Sequence, residues 1–218
     1  MARPLRIQYP GAWYHVMNRG ASRTDVFRDA IDRQVFLEIL ARVCAKTSAE
    51  IHAYCLMTNH FHLIIRTPDG NLDEVMRLLC GRYARYFNDR YGKDGGLCRG
   101  RYKAILVDSD RYLLAVSRYV HRNPLAFWTR PLENYPWSSY AMYLGLRPAP
   151  VWLATEETLA VAGGTETYES IVRSPLPSDV DRIYGGTRMP VVLGSKTFRT
   201  AALDLSAKGS GAIRPKVL

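Results

Sequence analysis

Residues 50–67 constrain the fold most. "EIHAYCLMTN" (50–59) and "HFHLIIRT" (60–67) read as two strands joined by a tight turn near Thr58-Asn59. A helix-length segment flanks this hairpin on each side. Upstream, Asp29 can cap a helix running to about Thr47, with Val35, Phe36, Ile39, Leu40 and Val43 at helical spacing. Downstream, the "PDGN" break (68–71) precedes a second helix to about Tyr91, with Leu72, Val75, Leu79, Tyr83 and Phe87 on one face. A strand at 12–20 opens the pattern. After the "GKDGG" loop (92–96) comes a strand at 98–108. A third helix follows, capped by Asp108 or Asp110 and stopped at Asn123-Pro124.

The order β-α-β-β-α-β-α predicts an α+β fold. Its sheet is ferredoxin-like (RRM-like) and mainly antiparallel, with helices packed on one face and the other face left for a ligand. Two further helical stretches are expected, at 135–145 and 154–162. From Ser174 the character changes: "SPLPSD" reads as a linker, "MPVVLGSKTF" as a small satellite element, and the Gly/Lys-rich "SAKGSGAIRPKVL" as disordered. The expected division is a domain at 1–148 and a partly helical C-terminal extension at 149–218. No internal repeat is present.

Composition narrows the partner. The 218 residues carry 30 Lys+Arg against 20 Asp+Glu, a net charge of +10, which points to a polyanion such as nucleic acid. A hydrophobic content of 47% is enough for a real core. Cys44, Cys55, Cys80 and Cys98 show no metal-binding spacing and read as reduced core thiols. No apolar run approaches the ~20 residues of a membrane span, and no signal peptide opens the chain, so a cytoplasmic location is expected.

His60 and His62 are two apart on one strand, so both face one side and Phe61 the other. Spacing alone fits two half-exposed sheet histidines as well as a metal-binding pair, because two imidazoles need a third donor. His15, His52 and His121 are unassigned. At the end of the third helix, Tyr119 and Asn123 are i and i+4 and share a face. An Asn oxygen with two imidazoles suits Mg²⁺ or Mn²⁺. A tyrosine beside that cation could attack a phosphoryl group. Equally, Tyr119 could pack in the core and Asn123 simply end the helix.

The stretches "YHVMNRG" (14–20), "MTNHFHLII" (57–65), "GRYKAILVD" (100–108), "RYVHRNP" (118–124) and "YPWSSY" (135–140) occur in this order. Together they resemble the REP-associated tyrosine transposases of the single-tyrosine HUH superfamily, over about residues 5–146. The resemblance implies a metal-dependent single-stranded DNA endonuclease and strand transferase. Its metal ligands would be His60, His62 and Asn123, its nucleophile Tyr119, and its cofactor Mg²⁺ or Mn²⁺. A 5′-phosphotyrosine and a free 3′-hydroxyl would form on cleavage. Arg19, Arg99, Arg101 and Lys103 would hold phosphates, and Tyr102 would offer a stacking platform. The implied substrate is hairpin DNA with a single-stranded flank. A short link between strand four and the third helix favours a monomer over a swapped dimer. Two rivals stand beside this reading. One is a non-catalytic RRM-like nucleic-acid-binding protein; the other is a zinc hydrolase using His15, His60 and His62.

Overall fold

The structure is a computed structural model and describes residues 6–176, 178–185 and 189–207. Its strands are β1 (Ala12–Arg19), β2 (Glu50–Leu56), β3 (His60–Thr67), β4 (Lys103–Val107) and β5 (Val192–Leu193). Its helices are α1 (Ala30–Thr47), α2 (Leu72–Tyr91), α3 (Ser109–Arg122), α4 (Tyr140–Tyr143), α5 (Glu156–Ala162), α6 (Thr165–Arg173), α7 (Ser178–Gly185) and α8 (Lys196–Ala207). The sheet order is β2-β3-β1-β4-β5; β1 to β4 pair antiparallel, and β5 joins β4 in parallel. The expected α+β class and split βαβ arrangement are present.

Local chemistry sets the first two helices. Asp29 caps α1 by accepting from the Asp32 N–H at 3.0 Å. α2 ends where Gly92 takes a left-handed conformation and its N–H returns to the Asn88 carbonyl. Both helices cover one sheet face. Phe36, Leu40 and Val43 of α1, with Val75, Leu79, Tyr83 and Phe87 of α2, bury Tyr14, Val16, Phe61, Leu63 and Ile65. Phe61 thus serves the core while its two histidine neighbours face the other way.

The other face is not left bare. α3 crosses it, and Leu113, Val116 and Val120 pack on Trp13, Met17, Ala53, Cys55, Ile64 and Ile105. What remains open is the end of that face at His60, beside the last turn of α3.

Several boundaries differ from expectation. The strand expected at 98–108 is only Lys103–Val107, because Gly100 (φ +80°) breaks the extended path. Cys98 keeps a single bridge to Gly20, and the Arg99 N–H bonds the Arg19 carbonyl. Asp108 occupies the cap position of α3, but its carboxylate accepts from the Ser195 N–H instead of capping. The helix expected at 135–145 shrinks to Tyr140–Tyr143. Residues 137–139 instead lie along β2: the Leu56 N–H bonds the Trp137 carbonyl and the Tyr54 N–H bonds Ser139 Oγ. α6 was not expected at all. The segment expected as a linker already enters α7 at Ser178. "MPVVLGSKTF" forms no satellite: Val192 and Leu193 add a strand to the main sheet, and α8 follows. Most of the tail expected to be disordered lies outside the described residues.

The four cysteines are free. No helix among the described residues is long and apolar enough to cross a membrane.

Candidate active site

β1 and β3 place the histidines. In their antiparallel register Met17 lies opposite His62 and Arg19 opposite His60, so His15 is the diagonal neighbour of His62 on the same face. His15 is fully buried and His62 is 4% exposed, whereas His60 is only half-buried. His62 Nδ1 and His15 Nε2 are 2.9 Å apart, and His15 Nδ1 is 2.7 Å from the Tyr184 hydroxyl. His60 Nδ1 meets Asn59 Oδ1 at 2.6 Å.

Burial holds these imidazoles neutral. It lowers His15 to about 3, and with the positive charge of Arg19 it lowers His60 to about 4. His62 falls well below its ordinary value through burial, then through its neighbours His15, His60 and Arg19.

α3 brings the tyrosine. The Tyr119 ring centroid lies 5.7 Å from that of His62 and 5.6 Å from that of His15. Its other neighbour is Tyr184 of α7, stacked on it at 3.7 Å with the planes 11° apart. Burial raises the Tyr119 phenol; hydrogen bonding with the Asn123 side chain and the charge of Arg19 oppose that rise. Asn123 sits one turn on, with Nδ2 donating to the Tyr119 carbonyl at 2.8 Å.

These groups line one cleft of about 840 Å³. Its walls bring together His60, His62, Tyr119 and Asn123 with Arg19, Arg99, Arg101, Tyr102 and Lys103. Every site residue expected from the sequence is therefore in one place. Arg6 and Tyr184 line it too, and neither was expected. Arg6 lies in a short basic start with no motif of its own, and Tyr184 in a segment that gave no signal. The Arg6 guanidinium lies 3.5 Å from the centre of the Tyr102 ring, so one face of that ring is already covered. Among the described residues no carboxylate lines the cleft, and five cationic side chains do.

The donor set can accept a divalent cation. His62 Nε2 is buried without a hydrogen-bond partner, an orphaned nitrogen that a metal would satisfy. His60 keeps its Nε2 while Nδ1 is engaged by Asn59, and Asn123 keeps Oδ1 while Nδ2 is engaged by Tyr119. Two nitrogens and an amide oxygen suit an ion that completes its shell with water or phosphate oxygens. Among the described residues no group of three or more His, Cys, Asp or Glu side chains is gathered for a metal. His15 is no third ligand, because both of its nitrogens are occupied.

The profile of the family described as "Transposase IS200 like" matches residues 8–123. The chain belongs to the IS200-like transposase family. Among solved structures, the fold is similar to that of a REP-associated tyrosine transposase bound to a REP hairpin. That match has 18% identity and a TM-score of 0.56, covering 71% of this chain and 92% of the other. A protein of Deinococcus radiodurans R1, described as a candidate transposase, also matches. There the identity is 19% and the TM-score 0.39, over 56% of this chain and 97% of the other. No curated protein matches. In this transposase the matched stretch ends at Asn123, so it contains both Tyr119 and Asn123, and Tyr184 lies beyond it.

Proposed function

We propose that this transposase cuts and rejoins single-stranded DNA through a 5′-phosphotyrosine on Tyr119. The observation that carries the reading is the approach of Tyr119 to His62, with Asn123 one turn away, in a cleft that the described residues line with five cations and no carboxylate. A phosphodiester suits such a cleft, and Tyr119 is the nucleophile proposed for it.

His60, His62 and Asn123 would hold Mg²⁺ or Mn²⁺. Bound there, the ion supplies charge withdrawal from a non-bridging phosphate oxygen. Arg19, Arg99, Arg101 and Lys103 grip the neighbouring phosphates and set the scissile bond against Tyr119. The Tyr119 oxygen attacks phosphorus in line and the phenol gives up its proton. The P–O3′ bond breaks, and the 3′-oxygen leaves as a hydroxyl. Asn123 and Arg19 favour the phenolate as that proton departs. A second 3′-hydroxyl can attack the phosphotyrosine and return the phenol. One phosphoester replaces another, so no high-energy cofactor is consumed.

The solved REP-associated enzyme holds a REP hairpin. A hairpin with a single-stranded flank is accordingly the substrate proposed here. The link between β4, which ends at Val107, and α3, which begins at Ser109, is short, and this favours a monomer. A non-catalytic RRM-like binder is less well supported, because such a module stacks bases on an open sheet face. Here α3 covers that face and Trp13 is buried under it. A zinc hydrolase would need a general base near the histidines, and among the described residues no Asp or Glu lines the cleft.

The test is incubation with a labelled hairpin oligonucleotide and Mg²⁺ or Mn²⁺, followed by a denaturing gel. The wild-type protein should give a covalent band that a chelator abolishes. Tyr119→Phe should bind the hairpin and form no adduct. Cutting by Tyr119→Phe, or an adduct mapped to Tyr112, would move the nucleophile elsewhere.

A further inference from the structure

We propose that Tyr184 and His15 are positioning residues. Through a two-link hydrogen-bonded chain they fix which nitrogen of His62 carries its proton, so the segment beyond the family-matched stretch completes the metal site. The inference rests on the reading of His62 as a metal ligand.

The chain runs from Tyr184 Oη to His15 Nδ1 at 2.7 Å, and from His15 Nε2 to His62 Nδ1 at 2.9 Å. Both imidazoles are buried, and the 2.9 Å contact between their nitrogens needs one N–H and one lone pair. That leaves two proton orders. In the first, His62 Nδ1–H donates to His15 Nε2 and His15 Nδ1–H donates to the Tyr184 oxygen. His62 Nε2 then presents a lone pair to the cleft. In the second, the Tyr184 hydroxyl donates to His15 Nδ1 and His15 Nε2–H donates to His62 Nδ1. His62 Nε2 then carries a proton and cannot bind a cation. The first order is the one a metal requires. A ligand histidine is commonly fixed by such a bond on its far nitrogen, and the partner is usually a carboxylate, a carbonyl or water. Here the partner is a second histidine, itself held by a phenol.

The same phenol has a second contact. The Tyr184 ring stacks on Tyr119 at 3.7 Å, so one side chain braces both the nucleophile and the support of the ligand. His15 also meets the Tyr119 ring edge-on at 5.6 Å. His15, His62, Tyr119 and Tyr184 thus form a single packed unit. Its last member comes from α7, 169 positions along the chain from His15.

The experiment uses full-length protein with ¹⁵N-labelled histidine. Two-bond ¹H–¹⁵N spectra of the metal-free protein read the His62 tautomer, and Mn²⁺ titration followed by electron paramagnetic resonance reads affinity. The variants are His15→Phe, His15→Gln and Tyr184→Phe, and His121, away from the cleft, reports folding. Wild-type His62 should be held with its proton on Nδ1. His15→Phe should release the proton to both nitrogens and weaken Mn²⁺ binding by about 10–100-fold. His15→Gln, which puts an amide oxygen near the place of Nε2, should restore the tautomer and most of the affinity. Tyr184→Phe keeps the ring stack and should weaken Mn²⁺ by up to about tenfold. If His15→Phe disturbs the His121 signals, Tyr184→Phe decides. An unchanged His62 tautomer and Mn²⁺ affinity in His15→Phe, or in Tyr184→Phe where that variant decides, overturns the positioning role. The metal-site reading fails separately, if His60→Ala with His62→Ala binds Mn²⁺ as tightly as wild type.

Discussion

The Asn123 side chain turns back on the helix that carries Tyr119, donating from Nδ2 to the Tyr119 carbonyl across 2.8 Å. The nitrogen end of the amide is therefore spoken for, and the oxygen end is what the cleft receives. Asn123→Ala removes both. It should cost about 1 kcal/mol of stability, the usual worth of one hydrogen bond. It should also raise the Mg²⁺ concentration needed for cleavage about tenfold, the equivalent of ~1.4 kcal/mol of lost ligation. Cleavage measured against Mg²⁺ concentration checks this; an unchanged curve would remove Asn123 from the metal site.

Arg99, Arg101 and Lys103 are exposed on one wall of the cleft. Each phosphate they neutralise releases counterions from single-stranded DNA. Replacing each with alanine should reduce the slope of log affinity against log salt by about 0.7. All three together should reduce it by about two. The loss should be the same for any flank sequence, because phosphate contacts carry no base information. A slope that stays at the wild-type value would place the DNA elsewhere.

His121 predicts the acid limit of stability. It is fully buried, with Nε2 at 2.7 Å from Ser139 Oγ and Nδ1 at 2.7 Å from the Tyr168 hydroxyl. Burial lowers it to about 3. Its folded value lies below the unfolded one, so the unfolded chain binds the proton first. The stability it contributes is complete above about pH 6.5 and is lost as pH falls toward 3, at roughly 1.4 kcal/mol per pH unit. Urea unfolding at pH 7, 6, 5 and 4 measures this. His121→Gln should flatten the slope by one proton; equal slopes for the two proteins would contradict the assignment.

Gly20 closes β1 beside Arg19, and its N–H bonds the Asn59 carbonyl. A Cβ there would lie 2.0 Å from the Thr24 carbonyl oxygen, which is backbone and cannot swing aside. Gly20→Ala should cost about 1–3 kcal/mol, the range for overpacking, and should loosen the turn that carries Arg19. Thermal unfolding is the measurement, and a loss under about 0.5 kcal/mol would show that the turn yields easily.

Legibility followed periodicity. β1, α1, the β2–β3 hairpin and α2 were readable because their apolar residues repeat at strand or helix spacing over long runs, and Asp29 and Gly92 punctuate them. α6 was not, since it has nine residues, only Tyr168 and Val172 buried, and a Gly163-Gly164 pair in front that reads as loop. Residues 135–139 mimic a helix in composition, but β2 takes their backbone. In the site, alternation put His60 and His62 on one face, and an i,i+4 interval joined Tyr119 to Asn123. The partners of His62 were hidden because they depend on tertiary register. His15 meets it only through the β1–β3 pairing, and Tyr184 arrives from the far end of the chain.

The residues along β2 have a further consequence. Cys55 bridges to Ser138 and Ile51 to Leu153, while Val192 and Leu193 pair with the end of β4. Each border of the sheet is thereby occupied, at least in part, by chain that lies outside the matched stretch of 8–123. A fragment ending at Asn123 would keep the histidines and the tyrosine but bare two rows of unpaired peptide groups. Such rows recruit strands from other molecules. The matched stretch cannot be lifted out as an independent module without inviting aggregation.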